Sequence, residues 1–238
     1  MIFPIGDTQV QGGHVPFISY SLILINIGIF CFQVITPGYL ICEWSAIPQN
    51  IYEGRDYGTL VTSIFMHGSW MHLFGNMLFL WVFADNIEAK IGSVNFLIFY
   101  LAGGLAASFA HIYFSGVGSE LSMMSCTPCS NLSPCDVGSV ISPALIPSLG
   151  ASGAISAVMG AYLLMFPHSQ IRVLVLIFFR SFYVPALLFL VLWFVQQLFA
   201  GVGTLGPHNA ASDGVAWWAH IGGFVFGLAG GLNLRKYV

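Results

Sequence analysis

Long apolar runs separated by shorter polar stretches dominate this 238-residue chain. Six of them, approximately 17–36, 70–89, 93–114, 149–166, 183–202 and 215–234, have the length of membrane spans. Roughly twenty residues of helix cross the hydrocarbon core. Strand-like alternation is absent, which argues against a β-barrel, and a helix satisfies its own backbone inside lipid. The pattern therefore predicts an all-α membrane protein: a six-transmembrane-helix bundle forming one domain over 1–238.

The connecting segments differ in character. Residues 37–69 form a long loop with Trp44, Tyr52 and Tyr57, aromatic residues suited to a membrane interface. Residues 115–148 form an inserted loop rich in Ser, Pro, Gly and Cys. Residues 167–182 carry an apolar run, Val173 to Phe179, too short to span; it reads as an interfacial segment or a short hairpin. Residues 203–214 form a Gly- and Pro-containing loop. No inverted repeat of the transporter kind is visible.

Composition supports the membrane reading. Hydrophobic residues make up 57% of the chain and charged residues 6%, against about a quarter charged in soluble domains. The mean hydropathy is +0.85. No basic patch suggests nucleic acid as a partner; the lipid bilayer is the expected one. The first fourteen residues hold no Lys or Arg, so no cleavable signal peptide is expected. With an inside N-terminus, the inner loops and tail hold Lys90, Arg172, Arg180, Arg235 and Lys236, and the outer loops hold only Arg55. Five against one fits the positive-inside rule, with both termini cytoplasmic.

That orientation brings four polar residues to one depth. The second, fourth and sixth spans all begin on the outer side. His72 and Asn76 lie in the first turns of the second, Ser152 in the first turn of the fourth, and His220 near the start of the sixth. Ser152 lies within Gly150-Ala151-Ser152-Gly153. Such a serine often serves only as a helix cap, but a serine beside a base is a nucleophile. His220 titrates in the range that suits that base. Gly150 and Gly153 support a close approach at the serine. Gly223 and Gly227, with Ala219 and Gly231, recur every four residues, a face on which helices pack closely. The fourth span offers a matching face in Gly153, Ala157 and Gly160. His72 and Asn76 stand i, i+4 on one helix face. Both donate hydrogen bonds, as an oxyanion site requires, although interhelical polar glue is the plainer role for Asn76. His67 falls off that face and is read as supporting the loop.

No carboxylate fits as a third member beside the histidine. Asp85 and Glu88 lie toward the inner end of the second span, and Asp213 lies in an outer loop; tying down neighbouring outer or inner loop ends is the favoured reading of Glu88, whose role is otherwise open. Four outer cysteines, Cys42, Cys126, Cys129 and Cys135, suggest one or two disulfides, with the pairing open. Cys31 lies in the membrane. No metal and no cofactor are expected.

The combination of His67-x4-His72-x3-Asn76, Gly150-Ala151-Ser152-Gly153 and Ala219-His220-x2-Gly223-x3-Gly227, in this order on these spans, resembles the rhomboid family of intramembrane serine proteases. The resemblance runs from the first span to the last. It implies a Ser152/His220 dyad and an oxyanion site from His72, Asn76 and the Ser152 backbone N–H. It implies single-span membrane proteins as substrates, cleaved near the outer face. Two positions depart from the family pattern. Gly58-Thr59 stands where many members have Trp-Arg. Ser156 stands where some carry a tyrosine that stacks on the catalytic histidine, so His220 must be held differently. The alternative is a rhomboid-like pseudoenzyme that binds membrane segments without cleaving them, although such proteins usually lack the serine or the histidine. The expected location is a multi-pass position in the cell membrane, of prokaryotic plasma-membrane type.

Overall fold

The computed structural model describes residues 2–9, 14–36, 40–118, 129, 142–177, 179–205 and 215–237. Each of the six apolar runs is helical. The helices are α1 (Phe17–Ile35), α5 (Trp70–Ile91), α6 (Ser93–Phe114), α7 (Ser152–Met165), α8 (Ala186–Gly203) and α9 (Trp217–Leu234). Between the first two lie three short helices, α2 (Leu40–Trp44), α3 (Pro48–Tyr52) and α4 (Thr59–Thr62). Among the described residues three helices, α1, α6 and α8, are long and apolar enough to cross a membrane by length and composition. The other three predicted spans differ for separate reasons. α7 has only 14 residues. α5 carries Asp85, Glu88 and Lys90 near its end, and α9 is rich in glycine.

The hub is α7, on which nearly every residue from Gly153 to Met165 is buried. It packs against α9, α6 and α5. The two small-residue faces read from the sequence meet here. Gly223 lies against the Gly153 carbonyl, Gly227 against the Ala157 carbonyl and Gly231 against Ala161. These pairings run in the same order on both helices, so α7 and α9 are parallel. In lipid no hydrophobic force drives helices together, and close backbone packing does this instead. Larger side chains, among them Phe83, Phe96, Tyr100 and Tyr162, fill the core around this seam.

The fold is not all-α. A three-stranded antiparallel sheet in the order β1-β2-β3 joins β1 (Ile2–Asp7), β2 (Gln170–Val175) and β3 (Arg180–Pro185). The run read as interfacial or hairpin-forming is a hairpin. Ile171 and Val173 point into the core while Gln170 and Arg172 are exposed, the period-two pattern of a half-buried strand. The N-terminal segment adds the third strand, with Pro4 opposite Val173 and an irregularity between Pro4 and Gly6. Asp7 fixes the end of that strand: Asn86 Nδ2 donates to its carboxylate at 2.8 Å and the Tyr162 hydroxyl donates to it as well. Burial raises the Asp7 carboxyl above the usual carboxylate range.

Glu88 has the tying role expected of it. Its buried carboxylate accepts from the backbone N–H groups of Ile18 and Ser19 at 2.9 and 2.8 Å and from the hydroxyls of Ser19 and Ser93. The first turn of α1 contains no acidic residue of its own, and its N-cap is Pro16. Glu88 thus satisfies donors that α1 leaves orphaned. At the other end of the bundle, Cys42 and Cys129 form a disulfide that links the loop after α1 to the loop after α6. Cys126, Cys135 and Asp213 lie outside the described residues, and Cys31 is an exposed free thiol.

Candidate active site

Ser152 is the first residue of α7, and Ala151 takes the N-cap position instead. Its Oγ lies 2.8 Å from His220 Nε2 on α9. The close packing of α7 on α9 makes this possible: Gly153 and Gly223 remove the side chains that would hold the backbones apart, one residue after Ser152 and three after His220. Both residues line a cavity of about 460 Å³, and His72 and Asn76 line the same cavity. The four residues expected at one depth therefore stand around one space.

Gly150 sets the distance on the α5 side. Its φ is +121°, a conformation that side chains rarely adopt. A Cβ there would also fall 2.7 Å from the His72 ring and 3.6 Å from Asn76 Nδ2. The His72 imidazole and the Asn76 amide thus lie directly over the turn that leads into Ser152. Gly150 N donates to the Ser63 carbonyl at 2.9 Å, and Ala46 and Ser148 exchange backbone hydrogen bonds at 3.0 and 2.8 Å. The segment between α1 and α5 thus holds this turn at two points.

His67 has a sharper role than general loop support. It is almost fully buried, and its Nε2 is 3.0 Å from Asn76 Nδ2. Gln33 grips its backbone, accepting from His67 N at 3.0 Å and donating to His67 O at 3.1 Å. Burial, with His72 beside it, pushes the His67 imidazole down to about 4. It is therefore neutral near pH 7, and its Nε2 is free to accept from Asn76. A long bond of 3.4 Å from Gly68 N to His72 Nδ1 assigns the His72 proton to Nε2, the nitrogen over Gly150.

Two residues that hold His220 were not singled out from the sequence. Gln197 on α8 is buried, and its Oε1 lies 2.8 Å from His220 Nδ1. Trp193, one turn earlier, places its ring 5.9 Å from the imidazole. These contacts answer how the ring is held with Ser156 in the tyrosine's place. Ser156 also lines the cavity, and its hydroxyl donates to the Ser152 carbonyl at 2.7 Å. The sequence signal was present: Ala186, Leu190, Gln197 and Gly201 form the buried stripe of α8, and Gln197 is its polar member. His111 on α6 also lines the cavity and was not anticipated.

The family model for the Rhomboid domain matches residues 54–237. The chain belongs to the rhomboid family. It is 26% identical over 239 residues to Rhomboid protein 1, mitochondrial, of Saccharomyces cerevisiae, covering 94% of this chain and 55% of that protein. It is 28% identical to RHOMBOID-like protein 12, mitochondrial, of Arabidopsis thaliana, covering 91% and 58%. A shorter match, 22% over 99 residues, links it to Rhomboid protease GlpG of Yersinia pestis, with 42% of this chain and 36% of that one covered. The chain thus spans a little over half the length of the two mitochondrial relatives. A rhomboid-family membrane protein is consistent with all three. The mitochondrial names run against the expected prokaryotic plasma membrane.

Proposed function

We propose that this rhomboid-family chain is an intramembrane serine endopeptidase that cleaves transmembrane proteins near the extracytoplasmic face. The observation that carries the reading is the 2.8 Å contact between Ser152 Oγ and His220 Nε2 at the wall of a cavity that also holds His72 and Asn76. In this mechanism Ser152 Oγ attacks the scissile carbonyl carbon and its proton passes to His220 Nε2. The carbonyl oxygen takes up negative charge. Asn76 Nδ2, His72 Nε2–H and the Ser152 backbone N–H stabilise it. The N–H of Ser152 is among the first of a helix, where donors lack an intrahelical partner and the helix dipole favours a negative charge. His220 then gives the proton to the leaving amine, and water hydrolyses the acyl-enzyme with His220 as base again.

The reading includes a membrane placement. All six long helices cross the bilayer as one rhomboid-like domain over 1–238, and both termini face the cytoplasmic side. Gly150, Gly153, Gly223 and Gly227 serve the site by allowing close approach. The serine and the histidine that a pseudoenzyme usually lacks are both present, as Ser152 and His220, and this favours cleavage over binding alone.

The test uses a serine-directed fluorophosphonate on the pure protein, with cleavage of a transmembrane substrate measured in parallel. Labelling and cleavage are both expected, and both should be lost in Ser152→Ala and in His220→Ala. The two residues act as one unit, so the double variant should be scarcely slower than either single. Cleavage that survives in Ser152→Ala rejects the serine mechanism. Absence of labelling and cleavage in the folded wild type favours the membrane-segment-binding alternative.

A further inference from the structure

A neutral imidazole carries one N–H, so His220 accepts a proton from Ser152 only if that N–H is on Nδ1. The surroundings of Nδ1 therefore decide whether the pair is productive. Gln197 Oε1 lies 2.8 Å from Nδ1, and Gln197 Nε2 donates to the Trp193 backbone carbonyl at 3.3 Å. A backbone carbonyl only accepts hydrogen bonds. It therefore fixes which way the amide faces: nitrogen toward Trp193, oxygen toward the histidine. An amide oxygen also only accepts, so the partner nitrogen must be Nδ1–H. The Nε2 lone pair is left facing Ser152 Oγ.

We propose that Gln197 is a positioning residue that holds His220 in the Nδ1–H tautomer and thereby aims its basic nitrogen at Ser152. The inference rests on the hydrolytic reading above and adds a third member to its dyad. Gln197 acts through His220 and touches no reacting atom. It occupies the place that a carboxylate takes in serine triads, but it brings no charge. That choice suits α8, whose remaining buried residues are Ala186, Leu190 and Gly201, because an ionised group at bilayer depth is costly. Trp193 serves twice, with its carbonyl orienting the amide and its ring lying beside the imidazole.

The test compares Gln197→Met and Gln197→Glu with the wild type, using the full chain in detergent or bilayer. Methionine keeps the length and loses the acceptor; glutamate keeps an oxygen for Nδ1–H. Turnover should fall about tenfold to a hundredfold in Gln197→Met, less than the roughly hundred- to ten-thousandfold worth of a whole general base, because His220 itself remains. KM should stay within about twofold, since substrate binding is untouched. Gln197→Glu should recover most of the turnover. In parallel, 15N-histidine spectra without substrate, assigned by loss of the signal in His220→Ala, should show Nδ1–H in the wild type and a mixture of tautomers in Gln197→Met. Wild-type turnover in Gln197→Met overturns the proposal, as does a Glu variant no better than Met. A wild-type His220 protonated on Nε2 overturns it whether or not either variant folds. Ser152→Ala separates the two readings. If that variant still cleaves, the serine mechanism fails, while the tautomer spectrum judges Gln197 independently.

Discussion

Asn76 carries two amide protons. One faces His67 Nε2 at 3.0 Å, which leaves the other for the cavity. Replacement removes both, so turnover and stability must be measured together to separate a structural role from a catalytic one. Losing one oxyanion donor typically costs about a hundred- to a thousandfold in rate. Asn76→Ala should lower turnover by roughly ten- to a thousandfold, toward the smaller end because His72 and the Ser152 N–H remain. KM should change little, since these donors act on charge that develops in the transition state. The check is turnover at saturating substrate, normalised to folded protein, beside a thermal melt. A destabilised protein with normal turnover would show that Asn76 only joins the helices. His67 adds a pH dependence. Unfolded, its imidazole takes up a proton near its ordinary value of about 6.5; folded, it does so only near 4. Between those values the unfolded chain binds more protons, so stability falls as pH falls. The loss reaches on the order of 3 kcal/mol at pH 4. The melting temperature of the wild type should therefore drop more steeply from pH 6.5 to 4 than that of His67→Gln. Equal slopes would reject the assignment.

At the scale of elements, the α7–α9 seam sets the spacing of the site. A Cβ on Gly227 would sit 2.7 Å from the Ala157 carbonyl carbon and still closer to its oxygen. Backbone atoms there have no flexible end to give way. Gly227→Ala should cost about 1–3 kcal/mol, the scale of an overpacked core, and should slow cleavage by moving His220 from Ser152. Gly28→Ala on α1, where a Cβ meets open space, serves as the control: it should leave cleavage unchanged and stability the same or higher, since alanine favours a helix interior over glycine by about 0.5–1 kcal/mol. Equal melting temperatures for the two variants would contradict the seam argument. This seam was legible in the sequence because small residues recurring every four positions have few other uses in a membrane helix. The serine, the two histidines and Asn76 were legible because each opens a helix on the same side. The sheet was not. Pro4 and Gly6 make Ile2–Asp7 look like a loose tail, and its strand partners lie far away in the chain, at 170–175. Gln197 escaped for a related reason. Its meaning comes from packing against another helix, and Gln196 beside it, which is exposed, makes the pair look like an ordinary polar interruption. The cysteine pairing could only come from the loops' approach in space.

At the scale of the whole molecule, the two ends of the bundle differ chemically. α7 and α9 run parallel, so Ser152 and His220 share one end, and the chain leaves α9 through Arg235 and Lys236 at the other. The Ala46–Ser148 bridge and the Gly150–Ser63 contact put the loop after α1 at the serine end. The Cys42–Cys129 disulfide belongs to that loop. The sheet that follows α7, with Arg172 and Arg180, belongs to the opposite end, as does Lys90 in the last turn of α5. Two independent trends then point the same way. Disulfides persist where thiols are not kept reduced, and basic residues near spans stay on the cytoplasmic side. In the proposed placement the serine end faces outward and the basic end inward. Expressed in a bacterial host, a fluorescent protein fused after Val238 should therefore fluoresce, and an alkaline phosphatase fused at the same place should stay silent. An active phosphatase would put the basic end outside. Because α9 ties the two ends together, it would also move Ser152 to the cytoplasmic face and reject cleavage near the outer surface, whatever the chemistry of the dyad.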